Sequence, residues 1–184
     1  MRHRIFIAIE LSKNIQKTLA EFQKNWQELP ARWTKEHNLH ITLQFLGNVS
    51  PDKLASIVQL MRTIGEQNIG FTGKLNAIAY GPPKTIPRFV WACIEPSEQL
   101  TALQKNVAET LKTLGFESED GMYNPHITLA RIRQLEFRRL DPEEHPLINE
   151  DISLSFPISS ISVMESKLKR GGAEYTPYQR IQLQ

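Results

Sequence analysis

The sequence predicts an α+β fold of two lobes, built from duplicated strand-helix-strand units about a pseudo-two-fold axis, with antiparallel sheets around a central cleft. Three observations predict it. The tetrapeptide HITL occurs at His40, Ile41, Thr42, Leu43 and again at His126, Ile127, Thr128, Leu129. A strand pattern and a helix pattern precede each copy. The first of those strands, FIAIELS from Phe6 to Ser12, is echoed by WACIEPS from Trp91 to Ser97, 85 positions later, while the second histidine follows the first by 86. Near-constant offsets across strand, helix and motif argue for duplication over two coincidental tetrapeptides.

Length and composition fit one such unit. A chain of 184 residues, 40% hydrophobic and 23% charged, holds one domain with a real core, read here as a single domain over 1–184 with lobes starting near 4 and near 89. The net charge of +2 permits an anionic ligand without a dedicated nucleic-acid coat. The lone cysteine, Cys93, excludes an internal disulfide and a thiolate metal cluster, and within FVWACIE it reads as a small core residue. No apolar run reaches membrane-spanning length, and MRHRIFIAIELSKN lacks the features of a secretory signal, so the expectation is a cytoplasmic protein with no membrane partner.

In order along the chain, RIFIAIE reads as a strand and Ser12 as the N-cap of a helix. Ile15, Leu19, Phe22, Trp26 and Leu29 recur at steps of four and three, one buried helical stripe, which Pro30 is expected to stop. After an extended piece around Trp33 comes LHITLQFLG, a strand from Leu39 to Leu46 closed by Gly47. Ser50 and Pro51 form a cap and first-turn pair for a second helix, with Leu54, Ile57, Met61 and Ile64 on its buried face. Phe71 to Tyr80 reads as a strand, and GPPKTIP as a loop. Following WACIEPS, Leu100, Leu103, Val107, Leu111 and Leu114 mark a third helix ending near Gly115, and NPHITLARI is the second histidine strand. The polar stretch from Gln134 to Glu150 reads as a surface loop. Ile152 to Glu165 and Tyr175 to Leu183 read as strands around the turn KLKRGG, with Pro157 at an edge or bulge.

Side chains alternate faces along a strand, so each HITL sets histidine and threonine on one face and two aliphatic residues on the other. One such strand is ordinary β structure. Two of them meeting across a two-fold axis would bring two imidazoles together, each able to hold either protonation state near neutrality. One neutral ring can then take a proton from a nucleophile while one imidazolium gives a proton to a leaving oxygen. That division suits displacement at phosphorus, where nucleophile and leaving group lie on opposite sides, with the threonine hydroxyls on the non-bridging oxygens.

HITLQFLG and PHITLAR resemble the paired HxTx motifs of the two-histidine (2H) phosphoesterases, specifically the RNA 2',3'-cyclic phosphodiesterases of bacteria and archaea, once called 2'-5' RNA ligases. The resemblance extends to RIFIAIEL, the tryptophan segment before the first motif and MESKLKRGGAEY, nearly the whole chain. It implies hydrolysis of a ribose 2',3'-cyclic phosphate to a 2'-phosphate, with no cofactor; the expected substrates are RNA ends or nucleotides, tRNA fragments among them, the expected protein is a monomer, and the two-histidine scheme requires no metal. It also implies that His40 is the proton donor to the departing 3' oxygen and His126 the proton acceptor from water. Thr42, Thr128 and Arg131 then bind phosphate and Phe45 stacks on the base. Phe45 and Arg131 each lie five residues beyond their histidine, an odd offset that points to the opposite face of an ideal strand. A strand end, a bulge or a long reach is needed to bring them to the histidines.

Other polar residues read as structural. His37, three before His40, lacks the partners that complete a metal site and is taken as a turn histidine. His3 and His145 are taken as solvated rings, Trp33 as a packing residue with Arg32 beside it in reach of a ligand, and Lys167, Lys169 and Arg170 as a charged turn. Tyr123 either lines the cleft or packs beside it. The same residues also fit a nucleotide- or RNA-binding module without turnover, and a 2'-5' RNA ligase running the reaction in reverse. A metal hydrolase fits them least.

Overall fold

A computed structural model of the chain describes residues 2–83, 86–117 and 123–184. Lys84 and Thr85 of the loop GPPKTIP lie outside the described residues. The chain opens with β1 (His3–Glu10), whose end passes to Ser12. Ser12 caps α1 (Lys13–Phe22), its hydroxyl accepting from the Ile15 amide at 3.4 Å. The helix ends well before Pro30, tightening into a 3-10 turn over Gln23–Trp26 that still buries Trp26, with Leu29 buried beyond it. Then come β2 (Ala31–Trp33) and β3 (His40–Val49). Gly47 does not close β3. It sits inside the strand at φ 68, where the pairing with β1 skips Leu46, the left-handed backbone that a bulge asks of glycine.

The helix α2 (Pro51–Gln67) starts at Ser50 as the sequence predicts, though the serine hydroxyl makes no capping bond. Its stripe Leu54, Ile57, Met61 and Ile64 is buried. It is followed by β4 (Phe71–Gly81), β5 (Phe89–Ile94), α3 (Glu98–Lys112) and β6 (His126–Ile132). Ser97 caps α3 as Ser12 caps α1, accepting from the Leu100 amide at 3.1 Å. Residues 134–150 are more than a surface loop. They hold the short helix α4 (Gln134–Phe137), a 3-10 turn and two buried anchors, Phe137 and Ile148. His145 is correspondingly not a free ring: it stacks on Phe137 at 4.1 Å and donates to the Phe137 carbonyl at 3.2 Å. The last three strands are β7 (Asn149–Ile158), β8 (Ser160–Lys169) and β9 (Gly172–Gln182). The run from Ile152 to Glu165 therefore breaks at Ser159 into two strands that go to opposite ends of the sheet.

Among the described residues the strands form a single nine-stranded antiparallel sheet, in the order β7-β4-β5-β6-β3-β1-β8-β9, with β2 added to β6. The order is palindromic. Each lobe runs from its histidine strand to the strand before its first helix, then to an inner and an edge strand, so that β3, β1, β8, β9 match β6, β5, β4, β7. The lobes join at one antiparallel pair, Ile41 opposite Ile127, the second residue of each HITL. The two expected sheets are thus halves of one curled sheet, whose fold carries the duplication. Pro157 falls on the edge strand β7, where a missing amide costs no ladder bond.

The core explains which way the sheet faces. Ile5, Ile7, Ile9, Ile41, Leu43, Ile127 and Leu129 are buried in one cluster with the apolar stripes of the helices. Gly65 of α2 lies so close to β9 that a Cβ there would meet the Gln182 carbonyl. With helices on the aliphatic face, the opposite face, which carries the histidines and threonines, forms the concave wall of a cavity.

Candidate functional site

The cavity measures about 330 Å³ and is lined by His40, Thr42, His126 and Thr128 together with Phe45 and Arg131. All six residues expected from the sequence therefore come together. Phe45 and Arg131 arrive by a bulge, and the same bulge in both strands. Along β1 and β3 the partners run Glu10 with His40, Ala8 with Thr42, Ile7 with Gln44 and Phe6 with Phe45, skipping Leu43. Along β5 and β6 they run Cys93 with His126, Trp91 with Thr128, Val90 with Ala130 and Phe89 with Arg131, skipping Leu129. The extra leucine restores the parity that an offset of five would lose. Two adjacent buried residues in each strand, Leu43–Gln44 and Leu129–Ala130, are its signature.

The pairing also corrects the sequence echo. Ala8 and Trp91 face matching threonines, and Glu10 and Cys93 matching histidines, so the strands correspond two residues out of step with FIAIELS and WACIEPS. The serine caps match as the echo has them, because the second half has a longer connection before its helix. Cys93 is consequently half-buried, opposite His126, and not a core residue; burial pushes its thiol pKa up.

Both histidines are held by one device. The Nδ1–H of His40 donates to the Asn38 carbonyl at 2.6 Å, and that of His126 to the Asn124 carbonyl at 2.8 Å. A carbonyl only accepts, so Nδ1 carries the hydrogen in both rings and Nε2 is left for chemistry. Around that device the surroundings differ. His40 Nε2 lies 3.0 Å from the Thr42 hydroxyl, and the ring packs against Phe6 at 5.0 Å and edge-on to Tyr175 at 5.2 Å. His126 lies flat on Trp91, 3.9 Å between centroids and 19° from parallel, and its Nε2 has no hydrogen-bond partner among the described residues. Burial lowers the pKa of both rings against the opposing pull of the carbonyl bonds, and the charge of His126 lowers His40 further.

A carboxylate stands opposite His40 but is engaged elsewhere. Burial raises the Glu10 pKa, yet bonds from Arg180 at 2.9 and 2.7 Å and from Ser162 outweigh it and hold the carboxyl low. No local pattern announces these partners, which lie 152 and 170 positions away. His3, expected to be solvated, likewise pairs with Glu165 at 2.7 Å.

The hairpin of β8 and β9 forms another wall. Buried Asn38 holds it, donating to the Ala173 carbonyl at 2.8 Å and accepting from the Tyr175 amide at 3.1 Å. Asn38 and Tyr175 were not among the expected residues; the signal available was the asparagine two before each histidine strand motif. Tyr123 packs beside the cleft, its hydroxyl donating to the Thr42 carbonyl at 3.0 Å. Trp33 is a packing residue that also borders the cavity, and Arg32 lines it, whereas His37 lies exposed in a 3-10 turn. Among the described residues no three His, Cys, Asp or Glu side chains gather as a metal-binding group, and no helix is long and apolar enough to cross a membrane.

Paired imidazoles, each held through Nδ1 by a backbone carbonyl and set beside a threonine, on a palindromic sheet, define a two-histidine phosphoesterase architecture. The sequence profile of the 2'-5' RNA ligase superfamily matches residues 9–170, and the chain belongs to that family, the 2H phosphoesterases. Its neighbours there are RNA 2',3'-cyclic phosphodiesterases. The one from Methanocaldococcus jannaschii is 32% identical over 74% of this chain and 75% of its own length. That from Geobacillus stearothermophilus is 32% identical over 96% of this chain and 54% of its own, so the chain spans about half the length of that relative. Among solved structures, E. coli LigT complexed with 3'-AMP superposes with a TM-score of 0.81 at 26% identity, covering 100% of this chain and 99% of that one.

Proposed function

We propose that the protein hydrolyses ribose 2',3'-cyclic phosphates, on RNA ends or on nucleotides, to 2'-phosphates, with the two histidines as acid and base and no metal in the reaction. The observation that carries the reading is the shared orientation of the two rings: each Nδ1–H is spent on a backbone carbonyl, and each HxT face turns to one cavity. In the step, His126 Nε2 takes a proton from water as the water oxygen bonds to phosphorus. The bond from phosphorus to the 3' oxygen breaks, and protonated His40 gives that oxygen its proton from Nε2. One water is consumed, and the two rings exchange protonation states with solvent before the next turnover.

Thr42, Thr128 and Arg131 hold the non-bridging oxygens, with hydroxyl and guanidinium donors fixed where negative charge gathers. Phe45, 58% exposed at the mouth of the cavity, offers its face to the base. In this reading the protein is a monomer, residues 1–184 working as a single unit, in the cytoplasm where RNA fragments with cyclic ends are the substrates. With a 5' hydroxyl in place of water as the nucleophile, the same step bonds that oxygen to phosphorus, breaks the bond to the 3' oxygen and leaves a 2'-5' linkage, which the ligase name of the superfamily fits; water at its ordinary concentration favours hydrolysis.

The test is the product. A defined RNA ending in a 2',3'-cyclic phosphate, incubated with the protein in EDTA, is expected to give a 2'-phosphate. A 3'-phosphate exchanges the leaving oxygen, and no hydrolysis of any cyclic phosphate removes the reading in favour of a binding module.

A further inference from the structure

The cationic side of the cavity carries more charge than one cyclic phosphate can use. Arg32, Lys35 and Arg131 line it, and among the described residues no Asp or Glu does. Arg32 and Arg131 are direct cross-strand partners between β2 and β6, so two guanidinium side chains extend from opposed positions of one ladder. Like charges in that arrangement destabilise a strand pair unless an anion lies between or beside them. Arg131 rests over the Phe89 ring at 4.9 Å, and Arg32 donates to the Gly171 carbonyl at 3.1 Å; among the described residues neither has a carboxylate partner. The Arg32 guanidinium lies against the hairpin turn. Gly172 has φ 113, and a Cβ there would collide with the Arg32 guanidinium. Glu174, an acid on which the charge of Lys35 acts, is paired with Lys169.

A 2',3'-cyclic phosphate carries a single negative charge, already met by Arg131 and two threonines in the reading above, on which this inference rests. We infer that Arg32 and Lys35 form a second phosphate subsite, for the anion on the 5' oxygen of the terminal nucleoside. In an RNA end that anion is the internucleotide phosphodiester, and in a mononucleotide it is a 5'-phosphate. The subsite makes the protein select cyclic ends that carry this second phosphate over a nucleoside 2',3'-cyclic phosphate that lacks it.

The experiment compares kcat/KM for four probes: adenosine 2',3'-cyclic phosphate, its 5'-phosphorylated form, the dinucleotide ApA ending in a cyclic phosphate, and that dinucleotide with a neutral methylphosphonate linkage. The two charged probes are expected to exceed their uncharged counterparts by about tenfold or more at low salt, the worth of one or two charge-assisted contacts to phosphate. The advantage should shrink steeply as salt is added. Arg32→Ala and Lys35→Ala should each bring the ratio of charged to uncharged probes toward one, chiefly through KM. Preference for the dinucleotide but not for the 5'-phosphorylated mononucleotide restricts the subsite to an internucleotide phosphate. Equal turnover of all four probes by the unaltered protein overturns the subsite and leaves the phosphodiesterase reading standing. So does an Arg32→Ala variant that loses the same factor on every probe, which makes Arg32 only a tie to the hairpin. Failure to hydrolyse any probe overturns both.

Discussion

The lobes offer the cavity one backbone and two different sets of side chains. Each has the same bulge after HITL, the same ring bonded to the carbonyl two residues earlier, and the same serine cap on the helix that follows its first strand. At three matched ladder positions they differ. Phe45 faces Phe6 where Arg131 faces Phe89, Thr42 faces Ala8 where Thr128 faces Trp91, and His40 faces Glu10 where His126 faces Cys93. The backbone sets where the functional atoms stand, and the neighbouring strand sets what each of them meets. A duplicated scaffold can in this way host an asymmetric reaction, since acid and base need equivalent positions but unequal surroundings.

The sharpest break of that comparison is removal of either ring. His40→Ala and His126→Ala are each expected to lower kcat by about a hundredfold to ten-thousandfold, the usual contribution of a positioned proton carrier. The double variant should fall little further, because two groups that act in one step are not additive. Near-normal turnover in either single variant at saturating cyclic phosphate contradicts the pairing.

The two asparagines sharpen it next. The backbone carbonyl of each accepts from a histidine, but of the two only Asn38 is buried and bridges to β9 with its side chain, whereas Asn124 is exposed. Asn38→Ala strips partners from the Ala173 carbonyl and the Tyr175 amide and should cost about 1–3 kcal/mol in denaturant unfolding. Asn124→Ala should stay within about 0.5 kcal/mol. Equal losses in the two variants would mean that the hairpin is not tied to the first lobe through Asn38.

The smallest effects are in titration, and their sign is fixed. Both histidines have lowered pKa values in the folded protein, so the unfolded chain binds protons more readily. Their contribution to stability is therefore complete above about pH 6.5 and is lost as pH falls through the lowered values. A bound phosphate acts oppositely, because its negative charge favours imidazolium. The alkaline limb of kcat, which reports the complex, should accordingly lie at higher pH than that of kcat/KM, which reports the free protein. Trp91→Leu opens one face of His126 to water and should move its titration up toward the ordinary value, with His40 less affected. Ring-proton NMR across pH 4 to 8 reads both.

How much of this was legible in the sequence depends on the range of the contact. The duplication, the caps, the helical stripes and four of the cavity residues, His40, Thr42, His126 and Thr128, could be read from local spacing, since a strand of period two or a helix of period 3.6 announces itself within a few residues; Phe45 and Arg131 came from the family resemblance, against the face their odd offset points to. The bulge was legible only as a break in alternation, Leu43–Gln44 and Leu129–Ala130, and its recurrence in both copies was the available clue. Pairings across the fold left no local trace: Arg180 with Glu10, His3 with Glu165, Arg32 with Arg131. The fusion of two sheets at Ile41 and Ile127 also depends on tertiary approach, because each residue alone is an ordinary buried isoleucine.

The division of labour between the two rings is tested most directly by a cyclic substrate whose 3' bridging oxygen is replaced by sulfur. A thiolate leaves without a proton, so that substrate needs the base and not the acid. His40→Ala should recover most of its lost rate on the sulfur substrate, and His126→Ala should remain as slow as on oxygen. Recovery by His126→Ala instead, or by neither variant, would contradict an acid at His40 and a base at His126.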